Sequence, residues 1–383
     1  MAQFDVLKED LRKQPRTWLV TGVAGFIGSN LLEGLLDLGQ TVIGLDNFSS
    51  GYRHNLQEVL RVNPRYKRLF HLIEGDICDP AACLEACEGV DYVLHQAAIG
   101  SVPRSMLDPR MVNQVNVEGT INVMLAARDQ QVKRVVFASS SAVFGNSPTM
   151  PLREEDLGAM VSPYAVSKYT DEKYAEVFSR IYGIETVGLR YFNVFGARQD
   201  PLGSYAAVIP QWIHALLSAE VCRIHGDGET TRDFVAVADV VQANLLAATS
   251  TLSAGKHRVF NVGAGRRTSL NELQAMLSAS LTRLRPAHRQ HAAAHDEFRE
   301  GDIRHSQADV SQIAGELGYC PVPELDQSLE NTMSWYLKRL NATKSVASWA
   351  CCCSCSSWAS NSSIARAPFR VVPVSALANT RRP

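Results

Sequence analysis

The chain has 383 residues, a length that fits two domains sharing one continuous core. Hydrophobic residues make up 46% of it and charged residues 20%, which excludes a disordered or fibrous chain. The 38 Lys and Arg residues are balanced by 39 Asp and Glu residues, so the net charge of -1 gives no basic surplus for nucleic-acid binding. No apolar run reaches the roughly 18 to 20 residues needed to cross a bilayer, and the charged amino terminus lacks the apolar block of a secretion signal. We therefore expect a cytoplasmic protein that does not associate with a membrane.

After an N-terminal extension over residues 1–16, short apolar runs alternate with amphipathic segments as far as residue 193. The runs that predict strands are Thr17–Val20, Thr41–Leu45, Leu69–Ile73, Tyr92–Leu94, Arg134–Ala138 and Thr186–Arg190. The segments that predict helices include Ser29–Leu38, Val115–Arg128 and Tyr164–Tyr182. Strands that are apolar on both faces and alternate with helices are typical of a parallel sheet covered on both sides. The sequence thus predicts a doubly wound α/β (Rossmann) domain over residues 17–193.

The pattern changes after residue 193. Gly and Pro clusters separate shorter elements over residues 194–340, which predicts a second, smaller α/β substrate domain that partly returns to the first. Residues 341–383 are rich in Ser, Cys and Ala and show neither helical nor strand periodicity, so we expect a disordered tail there. The cysteines outside the tail lack the paired spacing of a zinc site, and no metal is expected; they are Cys78, Cys83, Cys87, Cys222 and Cys320.

A glycine-rich loop joins the first predicted strand to the first predicted helix. In the segment Thr21-Gly-Val-Ala-Gly-Phe-Ile-Gly28, Gly22 allows a tight turn, Gly25 lets the backbone approach a pyrophosphate, and Gly28 lets the helix pack on the strand. The helix N-terminus then offers free N–H groups and a positive dipole end to phosphates. A bare glycine pattern is weak evidence, but this one has a strand before it and a helix after it.

An acidic residue at the end of the second strand strengthens this interpretation. Asp46 is placed to accept hydrogen bonds from a ribose 2′-hydroxyl, and its charge would repel a 2′-phosphate. The sequence therefore predicts a dinucleotide site that prefers NAD to NADP. The alternative is that Asp46 only caps a helix or a turn.

The segment Tyr164-Ala-Val-Ser-Lys168 opens a predicted helix directly after Ser162-Pro163. The i, i+4 spacing places the phenol and the ammonium on one helix face, one turn apart. An ammonium beside a phenol favours the phenolate, so Tyr164 can act first as a general base and then as a general acid. The cluster Ser139-Ser-Ser141 ends the fifth strand, at the sheet edge where ligands bind in such folds.

The GxxGxxG spacing, the YxxxK segment and the serine cluster resemble the extended short-chain dehydrogenase/reductases, the NAD-dependent epimerase/dehydratase family that acts on nucleotide sugars. The resemblance covers approximately residues 17–340 and implies that an acidic pair after the third strand contacts adenine and that the loop after the fourth strand lies against the cofactor. The cofactor-binding residues that it implies are Gly22, Gly25, Phe26, Ile27, Gly28, Asp46, Asn47, Asp76, Ile77, Gln96, Ala97, Ala98, Tyr164 and Lys168.

The resemblance also implies the catalytic groups Ser140, Tyr164 and Lys168, with Ser140 orienting the sugar hydroxyl that is oxidised. The family usually has Tyr where this chain has Phe144, a position that we expect to be supportive only. Related dehydratases carry an acid pair after the catalytic hydroxyl residue, and related decarboxylases carry a Glu. Here Ser141 and Ala142 follow Ser140, and neither side chain is a strong acid, which disfavours dehydration and leaves epimerisation.

Several longer segments resemble the sugar-nucleotide pocket of bacterial UDP-N-acetylhexosamine (and N-acetylhexosaminuronate) 4-epimerases. They include Gly100–Ser105, Arg190–Gly196, Gly226–Arg232 and Phe298–Ser306. The resemblance implies that Asn193, Arg232 and Arg299 bind the UDP phosphates and that Asp302 binds the ribose, whereas each Arg considered alone is as readily a surface or interdomain ion pair. The remaining substrate residues that it implies are Ser101, Arg104, Ser140, Ser141, Ala207, Val208, Trp212 and Ser306.

The resulting expectation is a 4-epimerase with tightly bound NAD. Tyr164 takes the proton from the C4 hydroxyl as a hydride leaves the C4 carbon for NAD, the 4-keto sugar turns over, and the hydride returns to the opposite face. Small side chains at the sugar end leave space for an acetamido group, which favours UDP-GlcNAc and UDP-GalNAc or their uronic acids. A UDP-glucose/UDP-galactose or UDP-glucuronate 4-epimerase and a catalytically inactive NAD-binding regulator are the alternatives. The family also implies a homodimer paired through helices near Val115–Arg128 and Tyr164–Tyr182.

Overall fold

The computed structural model describes residues 3–203, 206–252, 256–298 and 303–350, with the backbone alone described over 342–350. Contacts divide the chain into two units, residues 1–338 and residues 339–383, and the sheet and the site lie in the first unit. None of the described helices combines the length and the apolar character that crossing a bilayer requires.

A seven-stranded parallel sheet forms the centre of the fold. Its strands are β1 (Thr17–Thr21), β2 (Thr41–Asp46), β3 (Phe70–Glu74), β4 (Tyr92–His95), β5 (Arg134–Ser140), β6 (Glu185–Tyr191) and β11 (His257–Val262). Their order across the sheet is β11-β6-β5-β4-β1-β2-β3. The order reverses beside β1, which has β2 on one side and β4 on the other, so a crevice opens there at the carboxyl ends of the strands.

Helices cover both faces of this sheet. In chain order, the α-helices of the described residues, including those that pack elsewhere, are α1 (Gln3–Lys13), α2 (Phe26–Asp37), α3 (Arg53–Val62), α4 (Tyr66–Leu69), α5 (Pro80–Ala86), α6 (Val102–Leu107), α7 (Pro109–Asn113), α8 (Gly119–Asp129), α9 (Pro163–Tyr182), α10 (Val208–Leu217), α11 (Val237–Thr249), α12 (Leu270–Leu284), α13 (Ser311–Leu317) and α14 (Leu325–Ala350). One apolar core joins α2 and α11 to the sheet, and another joins α5, α8 and α9 to the opposite face. Because helices pack on both faces of the sheet, its strands are apolar on both sides. The predicted doubly wound α/β fold is confirmed.

Helix α9 shows how local sequence sets an element that carries the site. The hydroxyl of Ser162 accepts a hydrogen bond from the N–H of Ala165 at 3.2 Å, and Pro163 occupies the first turn. The helix ends at Gly183, which has a φ of 74°, a conformation that suits glycine. Tyr164 and Lys168 therefore lie in the first turns of a helix with defined ends.

The region after β6 builds a further apolar core from α10, α12 and α14. Its short strands are β7 (Asn193–Phe195), β8 (Arg223–His225), β9 (Thr231–Arg232), β10 (Phe234–Ala236), β12 (Thr268–Ser269) and β13 (Ala294–Asp296). Strand β11 lies in the large sheet, so this part of the chain contributes a strand to the first region. Helix α14 extends to Ala350, so its last turns fall in the segment expected to lack regular structure; residues 351–383 of that segment lie outside the described residues.

Candidate active site

The glycine loop crowds against its surroundings at two positions. Gly22 has a φ of +67°, and a Cβ built on it would lie 2.8 Å from the backbone nitrogen of Ala97. A Cβ on Gly28 would lie only 2.1 Å from the carbonyl oxygen of Gly22. Side chains at either position would push the loop away from β4 or from helix α2, which begins directly after Gly25. The loop therefore holds the N-terminus of α2 against the crevice beside β1, where its free N–H groups can bind phosphate.

Asp46 is the last residue of β2 and is only 7% exposed. Its carboxylate accepts hydrogen bonds from the N–H groups of Ala24 and Phe48, each at 2.8 Å. Burial raises the pKa of Asp46 above its ordinary value, although the two backbone hydrogen bonds act in the opposite direction. These contacts fix the carboxylate in place and leave its remaining lone pairs for ribose hydroxyls.

A cavity of about 510 Å³ opens over the carboxyl ends of the strands. It is lined by every residue predicted to bind the cofactor, which are Gly22, Gly25, Phe26, Ile27, Gly28, Asp46, Asn47, Asp76, Ile77, Gln96, Ala97, Ala98, Tyr164 and Lys168. Ser140 also lines it, as the last residue of β5. The structure therefore brings the glycine loop, the acidic residue after β2 and the predicted catalytic groups to one cavity.

The end of this cavity at which the sequence predicts an adenine contact contains a hydrogen-bonded pair. Asn47 Nδ2 donates to Asp76 Oδ2 at 2.8 Å, and the N–H of Cys78 donates to Asp76 Oδ1 at the same distance. Although burial acts to raise it, these hydrogen bonds hold the pKa of Asp76 below its ordinary value. Asp76 is thus an ionised acceptor facing the cavity.

The predicted catalytic groups meet from two elements. Ser140 Oγ accepts a hydrogen bond from the N–H of Ala142 at 3.1 Å, which orients the hydroxyl at the end of β5. Lys168 is 3% exposed, and its Nζ donates to Asp171 Oδ2 at 3.2 Å. Phe144, which replaces the usual Tyr, is buried against Phe192 and under the guanidinium of Arg190. These contacts pack the apolar ring of Phe144 without a hydroxyl.

A second cavity, of about 630 Å³, adjoins the first. Of the predicted substrate residues it is lined by Asn193, Ala207, Val208, Trp212 and Arg232. Asn193 and Ala207 also line the first cavity, so the two spaces meet at these residues. A ligand that extends from the predicted catalytic groups into the second cavity would pass Asn193 and Ala207.

The other predicted substrate residues have different positions. Ser101 caps helix α6 by accepting from the N–H of Arg104 at 3.2 Å, and Arg104 Nη2 lies 3.6 Å from Met111 Sδ. Of the predicted substrate residues that the structure describes, those that line neither cavity are Ser101, Arg104, Ser141 and Ser306. Arg299 and Asp302 lie outside the described residues.

Residues 18–263 match the model of the NAD dependent epimerase/dehydratase family. The chain belongs to this family. It is 36% identical over 327 residues, or 85% of its length, to a putative UDP-glucose 4-epimerase of Methanocaldococcus jannaschii, of which the match covers 99%. A UDP-glucose 4-epimerase of Mycolicibacterium smegmatis is also 36% identical, over 83% of the chain and 97% of that protein. Among solved structures, the UDP-N-acetylglucosamine 4-epimerase of Methanobrevibacter ruminantium, in complex with UDP-N-acetylmuramic acid, is 37% identical with a TM-score of 0.77, covering 85% of this chain and 99% of that one.

NAD is the cofactor of this family member, and the first cavity fits it. The loop at Gly22 and Gly28 has no space for side chains, which is the geometry that a pyrophosphate requires. The buried carboxylate of Asp46 matches a pair of ribose hydroxyls and opposes an added phosphate. When bound, NAD would supply reversible hydride transfer.

Several residues of the site were not found from the sequence. The first cavity is also lined by Ser49, Ser50, Gly51, Tyr191, Phe192, Val194 and Gln199. The buried side chain of His95 contacts the hydroxyls of Thr21 at 2.7 Å and Thr120 at 3.0 Å. Burial, with the charge of Lys168 as a second cause, lowers the pKa of His95 to about 3. Asp171 is separated from Lys168 by three positions, and this i, i+3 acid was the signal that could have revealed the pair.

A hydrogen bond connects the two sides of the first cavity. Tyr52 Oη donates to Asp200 Oδ2 at 2.5 Å, which links the loop at Ser49–Gly51 to the segment that contains Gln199. We expect Tyr52→Phe to accelerate NAD release by about three- to tenfold, because one hydrogen bond is lost. The protein is loaded with the reduced cofactor, and the measurement is the rate at which the fluorescence of bound NADH declines after dilution.

The hydrogen bond between Tyr52 and Asp200 also predicts the effect of replacing Asp200. Asp200→Asn should accelerate release to a similar extent, and the double variant should release NAD no faster than either single variant. Additive effects of the two substitutions would show that the contact does not retain the cofactor.

Proposed function

We propose that this protein interconverts UDP-N-acetylglucosamine and UDP-N-acetylgalactosamine, or their uronic acids, at C4. Its class is established more coarsely as a UDP-sugar 4-epimerase, because two curated relatives at 36% identity and a solved structure at 37% identity carry that description. The observation that carries the proposal is the cavity that unites Ser140, Tyr164 and Lys168 with the dinucleotide loop and opens, at Asn193 and Ala207, into a second space.

The chain's own residues define the proposed chemistry. The hydroxyl of Ser140 hydrogen-bonds the C4 hydroxyl of the sugar and turns it toward Tyr164. Tyr164 Oη accepts the C4 proton during oxidation and returns it during reduction, while the ammonium of Lys168 stabilises the phenolate form. Arg232 and Asn193 hold the nucleotide while the 4-keto sugar rotates between the two half-reactions.

The side chains beside Ser140 support epimerisation rather than elimination. Expelling a leaving group requires a strong acid near the substrate, and the positions after Ser140 are Ser141 and Ala142. A sugar that turns over needs free space around it, and this also favours small side chains at the positions after Ser140.

The acetamido preference is supported by a solved structure that is 37% identical and is a UDP-N-acetylglucosamine 4-epimerase. The small residues Ser101, Ser141 and Ser306, which the sequence places at the sugar end, line neither cavity and add no support from the structure. The second candidate is a plain hexose or uronate, because the curated relatives include UDP-glucose 4-epimerases at 36% identity and UDP-glucuronate 4-epimerases at 29 to 30% identity.

One assay tests this proposal. Purified protein is incubated with UDP-GlcNAc, UDP-GalNAc, their 6-carboxylates, UDP-glucose and UDP-glucuronate, without added NAD, and the products are followed by NMR. We expect C4 epimers of the acetylated sugars, at a kcat/KM at least about tenfold above that for the plain sugars. Equal or faster turnover of UDP-glucose or UDP-glucuronate would reject the acetamido preference, and the absence of any C4 epimer would reject the function.

We also propose a homodimer formed through helix α9. Its residues Val166, Tyr174 and Ile181 lie on one side of the helix and are 51%, 40% and 63% exposed. Exposed apolar side chains in such a row favour an equivalent partner surface. Light scattering should give a molar mass of twice the 42.0 kDa of the chain, and Ile181→Asp should reduce it to that of the monomer.

A further inference from the structure

The catalytic lysine has a buried acidic partner that the proposed mechanism does not use. Lys168 Nζ and Asp171 Oδ2 are 3.2 Å apart, and the two side chains are 3% and 1% exposed. Asp171 Oδ1 forms no further hydrogen bond to the described residues. The carboxylate therefore has the ammonium of Lys168 as its principal partner.

Charges at such a site act strongly on one another because water does not screen them. In the mechanism proposed above, the ammonium of Lys168 acts on the phenol of Tyr164, which lines the same cavity one helical turn away. An ionised Asp171 in contact with Nζ cancels part of this positive field. A neutral side chain at position 171 leaves the whole field acting on the phenol.

The surroundings of Asp171 place few other charges near it. On its own helix these are Lys168 and Glu172, and Glu172 is itself paired with Arg190 of β6. Thr120 of α8 faces the carboxylate, with His95 of β4 on the other side of that hydroxyl. Since burial lowers the pKa of His95 to about 3, this imidazole is neutral at working pH.

Burial and the neighbouring charges act on the carboxyl of Asp171 in opposite directions. Burial is the largest cause and raises the pKa of Asp171 above its ordinary value, with Lys168 acting to lower it and Glu172 to raise it. The contact with Lys168 favours the ionised carboxylate, which is the form that opposes the field of the ammonium.

We propose that Asp171 is a positioning residue that holds the ammonium of Lys168 and limits how strongly it acidifies Tyr164. This inference rests on the acid–base roles proposed above for Tyr164 and Lys168. It assigns Asp171 no contact with the sugar or the cofactor.

The test compares Asp171→Asn with Glu176→Gln. The second variant removes an acid from the same helix and the same i, i+3 relation, but its pair with Lys173 is exposed, at 55% and 47%. We expect Asp171→Asn to move the acidic limb of the kcat–pH profile toward lower pH by about one unit, with Glu176→Gln leaving the profile unchanged. A uniform change in kcat at every pH, or a shift toward higher pH, would overturn the proposal.

A second measurement does not require turnover. The ultraviolet phenolate spectrum of each protein is recorded against pH, and the same protein carrying Tyr164→Phe is subtracted, which isolates the ionisation of Tyr164. In Asp171→Asn its midpoint should move down by about one pH unit. An unmoved midpoint would overturn the inference even if the enzyme is active. If the unmodified protein does not epimerise any UDP sugar, the proposed function is rejected, but this titration still decides the inference. If Asp171→Asn does not fold, Asp171→Ser serves in both measurements.

Discussion

Replacing Tyr164 by phenylalanine is expected to lower the rate of UDP-sugar epimerisation by about 10²- to 10⁴-fold, because the group that moves the C4 proton is removed. The ring remains, so the cavity keeps its shape and NAD should still be bound. Turnover is followed by NMR, and bound NAD is measured in the purified protein after acid release.

The matched control is Tyr182→Phe, at the other end of the same helix. Tyr182 is 48% exposed and lies under the guanidinium of Arg128, so removal of its hydroxyl should leave both turnover and NAD content unchanged. Undiminished turnover in Tyr164→Phe would remove this phenol from the mechanism. Loss of NAD from that variant would instead assign it a binding role.

Gly28→Ala is expected to weaken NAD binding by about 10- to 100-fold and to lower the melting temperature. The added methyl group would lie 2.1 Å from the carbonyl oxygen of Gly22, so either the loop or helix α2 must move. The measurements are the NAD content of the purified protein and its thermal unfolding with and without added NAD.

Gly315→Ala provides the control for this substitution. Gly315 lies in helix α13, and a Cβ there would meet nothing within 4 Å among the described residues. Alanine at such a position should leave NAD binding unchanged and stabilise the helix by up to about 1 kcal/mol. Equal NAD affinity in both variants would show that close packing of α2 on the loop is not required.

Local patterns in the sequence were sufficient for the fold class, the glycine loop, Asp46 and the YxxxK segment, whereas the other predicted residues of the first cavity came from the family resemblance. The apolar runs predicted six of the seven strands of the central sheet to within a few residues; for example, the run Thr186–Arg190 lies within β6, whereas β11 was not predicted. The glycine loop and the YxxxK segment are continuous in the chain, so their geometry follows from backbone preferences that act over one turn. Asp46 could be recognised because it ends a strand whose position the pattern had already set.

The substrate side was less accessible from the sequence. Asn193 and Ala207 link the two cavities, and this could be seen only once β7 and α10 were placed beside the large sheet. Ser101 and Arg104 cap and form the short helix α6, an arrangement that their resemblance to a pocket motif did not reveal. Contacts between segments far apart in the chain depend on tertiary packing, which no local pattern encodes.

The sequence by itself determined the order of strands and helices, the dinucleotide loop and the pairing of Tyr164 with Lys168 on one helix. The tertiary structure alone decided that Lys168 and Asp171 are buried together. It also decided that His95, which contacts the hydroxyl of Thr120, is buried and neutral. The physical reason is that periodicity reports which face of an element is apolar, whereas the charge state of a polar group depends on how much water the neighbouring elements exclude.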